Sequence, residues 1–260
     1  MTFETLLFEV DNRVATITLN RPKSANGLNA ALASELKYAA KLCDTNPDVR
    51  AVLLTASGRF FCVGGDIKEM ASHGDEVGSE IKKLADDLHM ATSTFARMKK
   101  PLVVAVNGMA AGAGFSLAIS GDIVCASDTA AFTMAYTKAG LSPDGSSSYF
   151  LPRLVGLRRA QDLMLTNRTL TAADALEWGL VTRVVAQDAL LETARSLAVE
   201  LASGSQGSNA AVKKLLMTSY TNTLETQMEI EGREIAARAT ALDGREGITA
   251  FVEKRAPKFS

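Results

Sequence analysis

The chain has 260 residues, long enough to bury a sizeable hydrophobic core as one large domain or two small ones. Lysine and arginine number 28 against 29 aspartates and glutamates, so no charge excess favours binding to nucleic acid or to an anionic membrane. The hydrophobic fraction of 47% and the charged fraction of 22% are typical of a soluble globular protein.

The cysteines and the apolar stretches predict a cytoplasmic protein that does not cross a membrane. Cys43, Cys62 and Cys125 are widely spaced and form no CxxC pair, which argues against a disulfide framework or a zinc knuckle and favours a reducing compartment. The first residues, MTFETLLFEVDNR, carry acids where a signal peptide would carry bases. The most apolar stretch, 101–119, is interrupted by an asparagine and several glycines, so we do not expect it to span a membrane.

Strand and helix patterns alternate from the start of the chain. Two apolar runs flank DNR and predict a β-hairpin, and the helical spacing of apolar residues follows directly after it. The expected strands, in chain order, are 6–10, 14–20, 49–56, 101–108, 122–127, 130–136 and 182–186. The expected helices are 30–45, 79–98, 111–119, 150–166, 171–178 and 188–203, with a loop at 57–70. This alternation predicts an α/β fold with largely parallel strand pairing.

The pattern changes to helix alone from Ser208 onward. The segments NAAVKKLLMTSY and TLETQMEIEGREIAARATA carry apolar stripes but have no strand to cover. We therefore expect a core over 1–205 and a C-terminal helical arm over 206–260 that packs on the core or on another subunit.

Two glycine-rich stretches are candidates for binding an anion or a developing oxyanion. RFFCVGGDIKEM contains Gly64 and Gly65, and NGMAAGAGFSLAI contains Gly112 and Gly114, each between a predicted strand and a helix. Such turns offer backbone N–H groups at a helix N-terminus, although most turns of this kind are only structural. Neither GxxxxGK[ST] nor GxGxxG occurs, so the phosphate-loop and dinucleotide patterns are absent.

A third turn carries an acid, in the segment GLSPDGSSSYF. Pro-Asp-Gly is ordinary turn chemistry, and the serines after it predict the cap of a helix that begins near Tyr149. Asp144 is therefore either a structural turn residue or a functional carboxylate that the turn holds in position. Of the two histidines, His73 falls in a polar loop and His89 on a helix, where a structural or surface role is the commoner one. Two histidines make a histidine-rich metal site improbable, and we expect no bound metal.

The order of the motifs carries a family resemblance. RPKSANGLNAAL, GRFFCVGGDIKEM and KKPLVVAVNGMAAGAGFSLAISGDIVCAS, followed by the aspartate turn and the ending REGITAFVEKRAPKF, resemble the enoyl-CoA hydratase/isomerase (crotonase) superfamily over essentially the whole chain. The resemblance implies a ClpP-like spiral of ββα units with a helical C-terminal arm, assembled as a trimer or a dimer of trimers. It also implies a coenzyme A thioester as substrate and no permanently bound cofactor.

The resemblance assigns roles to individual positions. The backbone N–H groups of Gly65 and Ala113 would hold the thioester oxygen, and Ala113 stands where many members have glycine. Coenzyme A contacts would come from two loops and from the arm of a neighbouring subunit. These contact positions are Lys23, Ala25, Asn26, Val63, Gly64, Asp66, Ile67 and, in the neighbour, Phe251 and Lys254.

The two glutamates that hydratases of this superfamily use are missing, because their positions hold Ser116 and Tyr136. Asp144 is the remaining acid, and two subfamilies place an aspartate at this turn. In one, which resembles epoxyphenylacetyl-CoA and 3-enoyl-CoA isomerases, Asp144 would shuttle a proton. In the other, which resembles 4-chlorobenzoyl-CoA dehalogenases, Asp144 would attack the ring and His89 would activate water. Tyr136 would donate to the carboxylate, line the acyl pocket or be only a core aromatic, and a non-catalytic acyl-CoA-binding protein is a third alternative.

Overall fold

The computed structural model describes residues 3–260, and the strands in this part of the chain form two sheets. The strands are β1 (Leu6–Asp11), β2 (Val14–Leu19), β3 (Ala51–Ala56), β4 (Leu102–Val106), β5 (Ala110–Ala111), β6 (Ile123–Ser127), β7 (Ala131–Thr133), β8 (Leu170–Thr171) and β9 (Arg183–Val185). The six-stranded sheet has the order β1-β2-β3-β4-β6-β9, and the smaller sheet has the order β5-β7-β8. Only the β1–β2 and β7–β8 pairs are antiparallel, so the expectation of largely parallel pairing is confirmed.

The expected hairpin is present at the edge of the larger sheet. Its register runs from Leu6 opposite Leu19 to Asp11 opposite Val14. The two residues between the strands, Asn12 and Arg13, both have positive φ angles, of 49° and 64°. Two left-handed residues in a two-residue connection form the type I′ turn, whose twist matches that of the flanking strands.

The helices lie on both faces of the larger sheet. They are α1 (Ala30–Thr45), α2 (Ile67–Ser72), α3 (Val77–Arg97), α4 (Ala113–Ala118), α5 (Ser147–Val155), α6 (Leu157–Thr166), α7 (Ala172–Glu177), α8 (Leu190–Ser203), α9 (Gln206–Ser219), α10 (Leu224–Thr240) and α11 (Leu242–Val252). Along β3, Val52 and Leu54 join the core that α1 and α3 cover, whereas Ala51 and Leu53 face α8. Burial of both faces explains why the parallel strands read as continuous apolar runs.

Three predicted segments differ in the structure by more than two residues at an end or in kind. The strand expected at 130–136 ends at Thr133, because Ala135 adopts a left-handed conformation with φ of 56° and turns the chain. The helix expected at 150–166 is two helices, α5 and α6, separated by Gly156 with φ of 82°. The stretch 57–70, expected to be a loop, contains α2 at its end.

The predicted serine cap is also corrected. The helix begins at Ser147 rather than near Tyr149, and the Ser146 side chain makes no cap hydrogen bond. The Ser147 hydroxyl instead donates to the Asp144 carbonyl oxygen at 2.9 Å. The serine therefore stabilises the turn that precedes the helix.

The C-terminal helices α9–α11 form the arm, and α9 is anchored to the core by a buried lysine. Lys213 donates from Nζ to the carbonyl oxygens of Phe95 and Lys100 and to the carboxylate of Asp122, at 2.9, 3.0 and 2.6 Å. Burial raises the pKa of Asp122 and lowers the pKa of Lys213, so each charge needs the other. None of the residues of α10 is buried within the chain.

Large apolar side chains are exposed along the arm. They are Val212, Leu216, Tyr220, Leu224, Met228, Ile235, Leu242, Ile248, Phe251 and Val252. Within residues 3–260, no helix is both long enough and apolar enough to cross a membrane.

Candidate active site

The two glycine-rich turns meet at the carboxyl ends of β3 and β4. Gly64 lies against the second turn so closely that a β-carbon there would sit 3.1 Å from the Ala111 carbonyl oxygen and 3.5 Å from the Ala113 nitrogen. Gly64 and Gly112 both have positive φ angles, of 96° and 53°, which favour glycine. The close approach of these two backbones brings the peptide groups of the two turns side by side.

Within residues 3–260, the N–H groups of Gly65 and Ala113 have no hydrogen-bond partner. Other peptide groups of the two turns are bonded: the Gly64 carbonyl accepts from the Leu28 N–H at 2.7 Å, and the Gly112 N–H donates to the Thr133 carbonyl at 3.1 Å. Ala113 is the first residue of α4, so its free N–H lies at the positive end of that helix. Two free donors on adjacent turns form an arrangement that can stabilise an oxyanion.

The Asp144 turn is tied to the same helix. Ser116, one turn along α4 from Ala113, donates to the Asp144 carbonyl oxygen at 2.9 Å. The Tyr136 hydroxyl donates to the Asp144 carboxylate at 2.6 Å and lies 3.1 Å from the Ser116 hydroxyl. Ser116 and Tyr136, which occupy the two positions where the hydratase glutamates are missing, therefore both contact Asp144.

Tyr136 stays a neutral phenol in this setting. Burial, the Asp144 charge and the hydrogen bond to Asp144 all raise the pKa of Tyr136, with burial the largest cause. A phenol that retains its proton donates to the carboxylate and does not act as a base. The left-handed Ala135 turns the chain at the end of β7, directly before Tyr136.

His89 contacts the same turn from the other side. The Gly145 backbone N–H donates to His89 Nε2 at 3.1 Å. His89 lies on α3 with its side chain exposed, and the sequence analysis gave no reason to expect its bond to the main chain. The bond joins residues 56 positions apart, and no local sequence pattern reports such a contact.

A groove of about 500 Å³ opens beside Asp144. Helix α3 forms one wall, the aspartate turn and α5 form the other, and α9 contributes Met217. The lining residues are His89, Thr92, Ser93, Ala96, Arg97, Pro143, Asp144, Ser146, Ser148, Tyr149, Phe150 and Met217. The mixed apolar and polar walls with one carboxylate suit an acyl group. Sequence reasoning named His89 on α3 as a candidate but missed the other lining residues of α3 and Met217 of α9, because neither segment carries a recognisable motif.

A larger cavity, of about 870 Å³, lies at the amino ends of β2, β3 and β4. Basic side chains dominate its lining, among them Arg13, Arg50, Lys99 and Arg238, and none of the predicted site residues belongs to it. In open α/β sheets, ligands bind at the carboxyl ends of the strands. The site is therefore placed at the two glycine turns rather than in the larger cavity.

The predicted coenzyme A contacts divide into exposed side chains and side chains that are hydrogen-bonded within the protein. Lys23, Val63 and Ile67 are exposed near the glycine turn and are free to touch a ligand. Asn26 is buried, donates to the carbonyl oxygens of residues 57 and 60, and accepts from the residue 21 N–H. Asp66 caps α2 and pairs with an arginine at 3.0 Å. Both of these side chains position the loops instead of pointing to a ligand.

The remaining predicted coenzyme A contacts either form backbone hydrogen bonds or lie on the C-terminal arm. Ala25 has a positive φ of 49° and accepts from the Val63 N–H at 3.3 Å, so it links the two loops. Phe251 is 85% exposed, and Lys254 is exposed with φ of 53°, as side chains available to another subunit would be.

Metal ligands, thiols and the second histidine are the other groups in residues 3–260 that could carry chemistry. Within 3–260, no group of three or more histidine, cysteine, aspartate or glutamate side chains is placed to hold a metal ion. All three cysteines are free and buried, and burial raises the pKa of the Cys43 and Cys62 thiols to about 12. His73 lies between α2 and the short helical turn at 74–76, outside the groove of Asp144.

Comparison with known proteins identifies the family. A sequence model described as enoyl-CoA hydratase/isomerase matches residues 9–260. The chain is 38% identical to the 1,2-epoxyphenylacetyl-CoA isomerase of Escherichia coli, over 99% of this chain and 98% of that protein.

The chain belongs to the enoyl-CoA hydratase/isomerase family.

Other relatives within the enoyl-CoA hydratase/isomerase family carry names of both reaction types. The chain is 34% identical to the trans-2-decenoyl-[acyl-carrier-protein] isomerase of Streptococcus mutans, over 100% of this chain and 99% of that protein. The crystal structure of an enoyl-CoA hydratase from Polaromonas superposes with a TM-score of 0.94 at 30% identity, covering 98% of this chain and 99% of that one. The fold is therefore the crotonase fold with its C-terminal helical arm, as the sequence resemblance implied, and the protein processes acyl-CoA thioesters.

Proposed function

We propose that this protein is an enoyl-CoA isomerase that shifts a double bond by moving one proton with Asp144. The observation that carries the proposal is the carboxylate of Asp144, held by the Tyr136 hydroxyl at 2.6 Å on a turn bonded to α4. Helix α4 begins at Ala113, so Ser116, whose hydroxyl bonds the Asp144 carbonyl, lies about one helical turn from a free oxyanion donor.

The proposed reaction needs an oxyanion site and one base. Asp144 removes a proton from C2 of a 3-enoyl thioester, and the electron pair spreads through the double bond onto the thioester oxygen. The free N–H groups of Gly65 and Ala113 stabilise that oxygen as it gains charge. Asp144 then returns the proton at C4, which leaves the double bond between C2 and C3.

Coenzyme A is placed outside the acyl groove in this proposal. Lys23, Val63 and Ile67 form its exposed contact surface beside the glycine turn. Phe251 and Lys254 would reach a neighbouring subunit's coenzyme A, which requires the arm to pack between subunits. The trimer or dimer of trimers, the division of the chain at residue 205 and the cytoplasmic location all stay predictions.

The test is turnover of a 3-enoyl-CoA to the conjugated 2-enoyl-CoA, followed by absorbance. We expect the wild type to be active and Asp144→Asn to lose about 100-fold or more in kcat, as removal of a general base does. Asp188→Asn, an exposed aspartate outside the groove, is the matched control and should keep full activity. Calorimetry with coenzyme A shows whether Asp144→Asn still binds. Wild type without turnover on aliphatic and aryl 3-enoyl thioesters would contradict the proposal.

The second candidate is hydrolytic dehalogenation of a chloroaromatic thioester, with Asp144 as nucleophile. The observation that favours it is that His89 and Asp144 line the same groove. In that reaction His89 would have to take a proton from water, which needs a free lone pair. Release of chloride from 4-chlorobenzoyl-CoA, absent in His89→Gln, would support this candidate over the isomerase. A protein that binds acyl-CoA but turns over neither thioester would be a non-catalytic homologue.

A further inference from the structure

The peptide group between Asp144 and Gly145 is held from both sides. Its carbonyl oxygen accepts hydrogen bonds from the hydroxyls of Ser116 and Ser147, each at 2.9 Å. Its N–H, which points the opposite way in a trans peptide, donates to His89 Nε2 at 3.1 Å. Because the peptide is planar, these contacts fix the direction in which the chain presents the Asp144 carboxylate.

We infer that His89 is a positioning residue, which holds the Asp144 carboxylate in place through the Gly145 N–H and does not itself exchange a proton with the substrate or with water. The inference rests on the proposed isomerase function. A backbone amide is always a donor, so the Nε2 atom facing it must be the unprotonated nitrogen. The proton of the neutral ring is then on Nδ1, and the one basic lone pair of His89 is already used.

Glutamine at this position tests the hydrogen bond directly. Its side-chain oxygen can accept from the Gly145 N–H, and its amide cannot act as a general base.

The experiment compares His89→Gln with His89→Ala in the 3-enoyl-CoA assay. We expect His89→Gln to keep kcat within about 3-fold of wild type and His89→Ala to lose about 3- to 10-fold, with little change in KM, as expected for one hydrogen bond. His73→Gln, which changes the other histidine, is the matched control and should behave as wild type.

A second measurement does not depend on turnover. The chain contains two histidines, so ¹⁵N-histidine labelling gives two ring systems, and His73→Gln assigns them. At neutral pH we expect His89 to carry its proton on Nδ1, with Nε2 showing the shift of an unprotonated nitrogen.

The outcomes separate this inference from the proposed function. Wild type without isomerase turnover refutes the proposed function, while the ring spectrum still tests the hydrogen bond. Active wild type with His89→Gln and His89→Ala both impaired by 100-fold or more would overturn the inference, because His89 would then take part in the chemistry. Full activity in both variants, or an Nε2–H ring at neutral pH, would also overturn it.

Discussion

Replacing Tyr136 by phenylalanine removes one hydroxyl from the centre of the site and leaves the ring. The hydroxyl donates to the Asp144 carboxylate at 2.6 Å and lies 3.1 Å from the Ser116 hydroxyl. Tyr136 is only 9% exposed, so its ring belongs to the core and the phenylalanine ring should occupy the same space. The change therefore tests the hydrogen bond with little disturbance of packing.

The size of the effect follows from the type of bond. A hydrogen bond to a charged group contributes about 1.5–3 kcal/mol, and about 1.4 kcal/mol corresponds to a factor of ten. If the bond holds the carboxylate in the geometry of proton transfer, kcat should fall roughly 10- to 100-fold. The Ser116 hydroxyl keeps the Asp144 carbonyl as a partner, so the free energy of unfolding should fall by no more than the same amount, about 1.5–3 kcal/mol, and the protein should stay folded.

The assay is isomerisation of a 3-enoyl-CoA, with kcat and KM measured separately, beside thermal unfolding of the same samples. Tyr38→Phe, on α1 and outside the groove, is the matched control and should match wild type in both measurements. An interaction made mainly in the transition state lowers kcat more than it changes KM.

Two results would refute the reasoning. Unchanged kcat in Tyr136→Phe, while Asp144→Asn is inactive, would mean that the phenol does not help to position the carboxylate. Loss as complete as that of Asp144→Asn would mean that the phenol itself takes part in the chemistry, which the raised pKa of Tyr136 argues against.

Three further predictions concern the turn, the anchor of α9 and the end of the arm. Gly145→Ala should abolish turnover while the protein still folds. Gly145 has φ of 61°, and a β-carbon there would lie 2.7 Å from the side chain of a buried serine of α4. The activity assay and circular dichroism test the two parts of this prediction. Lys213→Met should lower the free energy of unfolding, measured with urea, by about 3 kcal/mol, because it leaves the Asp122 carboxylate without its charged partner. Adding Asp122→Asn to this variant should restore part of that loss. An arginine lowers the pKa of the Glu246 carboxyl to about 2, so this contact stabilises the arm above about pH 4.5 and is lost as the pH falls towards 2. The Lys258 amide donates to that carboxylate at 2.8 Å, so its protection factor, which corrects for the intrinsic pH dependence of hydrogen exchange, should fall over this range and already be low in Glu246→Gln.

The sequence predicted the fold well because its signals are local or repeated along the chain. Strands buried on both faces read as continuous apolar runs, and the helices between them carry apolar stripes. The misplaced boundaries have local causes too. Gly156 splits the helix expected at 150–166, and its presence between two apolar runs was an available stop signal. Ala135 ended the strand early without a signal, since alanine rarely adopts the left-handed conformation.

The sequence marks the parts of the candidate site rather than their connections. Turn chemistry and family motifs mark Asp144, Tyr136 and the two glycine turns, and donation from Tyr136 to the carboxylate was one of the expected alternatives. The contacts from Ser116 to Tyr136 and from Gly145 to His89 were not predicted, because they join residues 20 and 56 positions apart. One signal was available: a serine inside the apolar helix AGAGFSLAI is buried, and a buried hydroxyl needs a partner.

The protons available in the groove favour an isomerase over a hydratase. Of the described residues that line it, Asp144 is the one carboxylate, and the adjacent phenol of Tyr136 has a raised pKa and keeps its proton. Adding water across a double bond needs one group to take a proton from water and a source of a proton for carbon. A 1,3-shift returns the proton that it removes, so a single carboxylate completes it. The replacement of both hydratase glutamates by Ser116 and Tyr136, whose hydroxyls hold Asp144, is what a site built for one proton carrier requires.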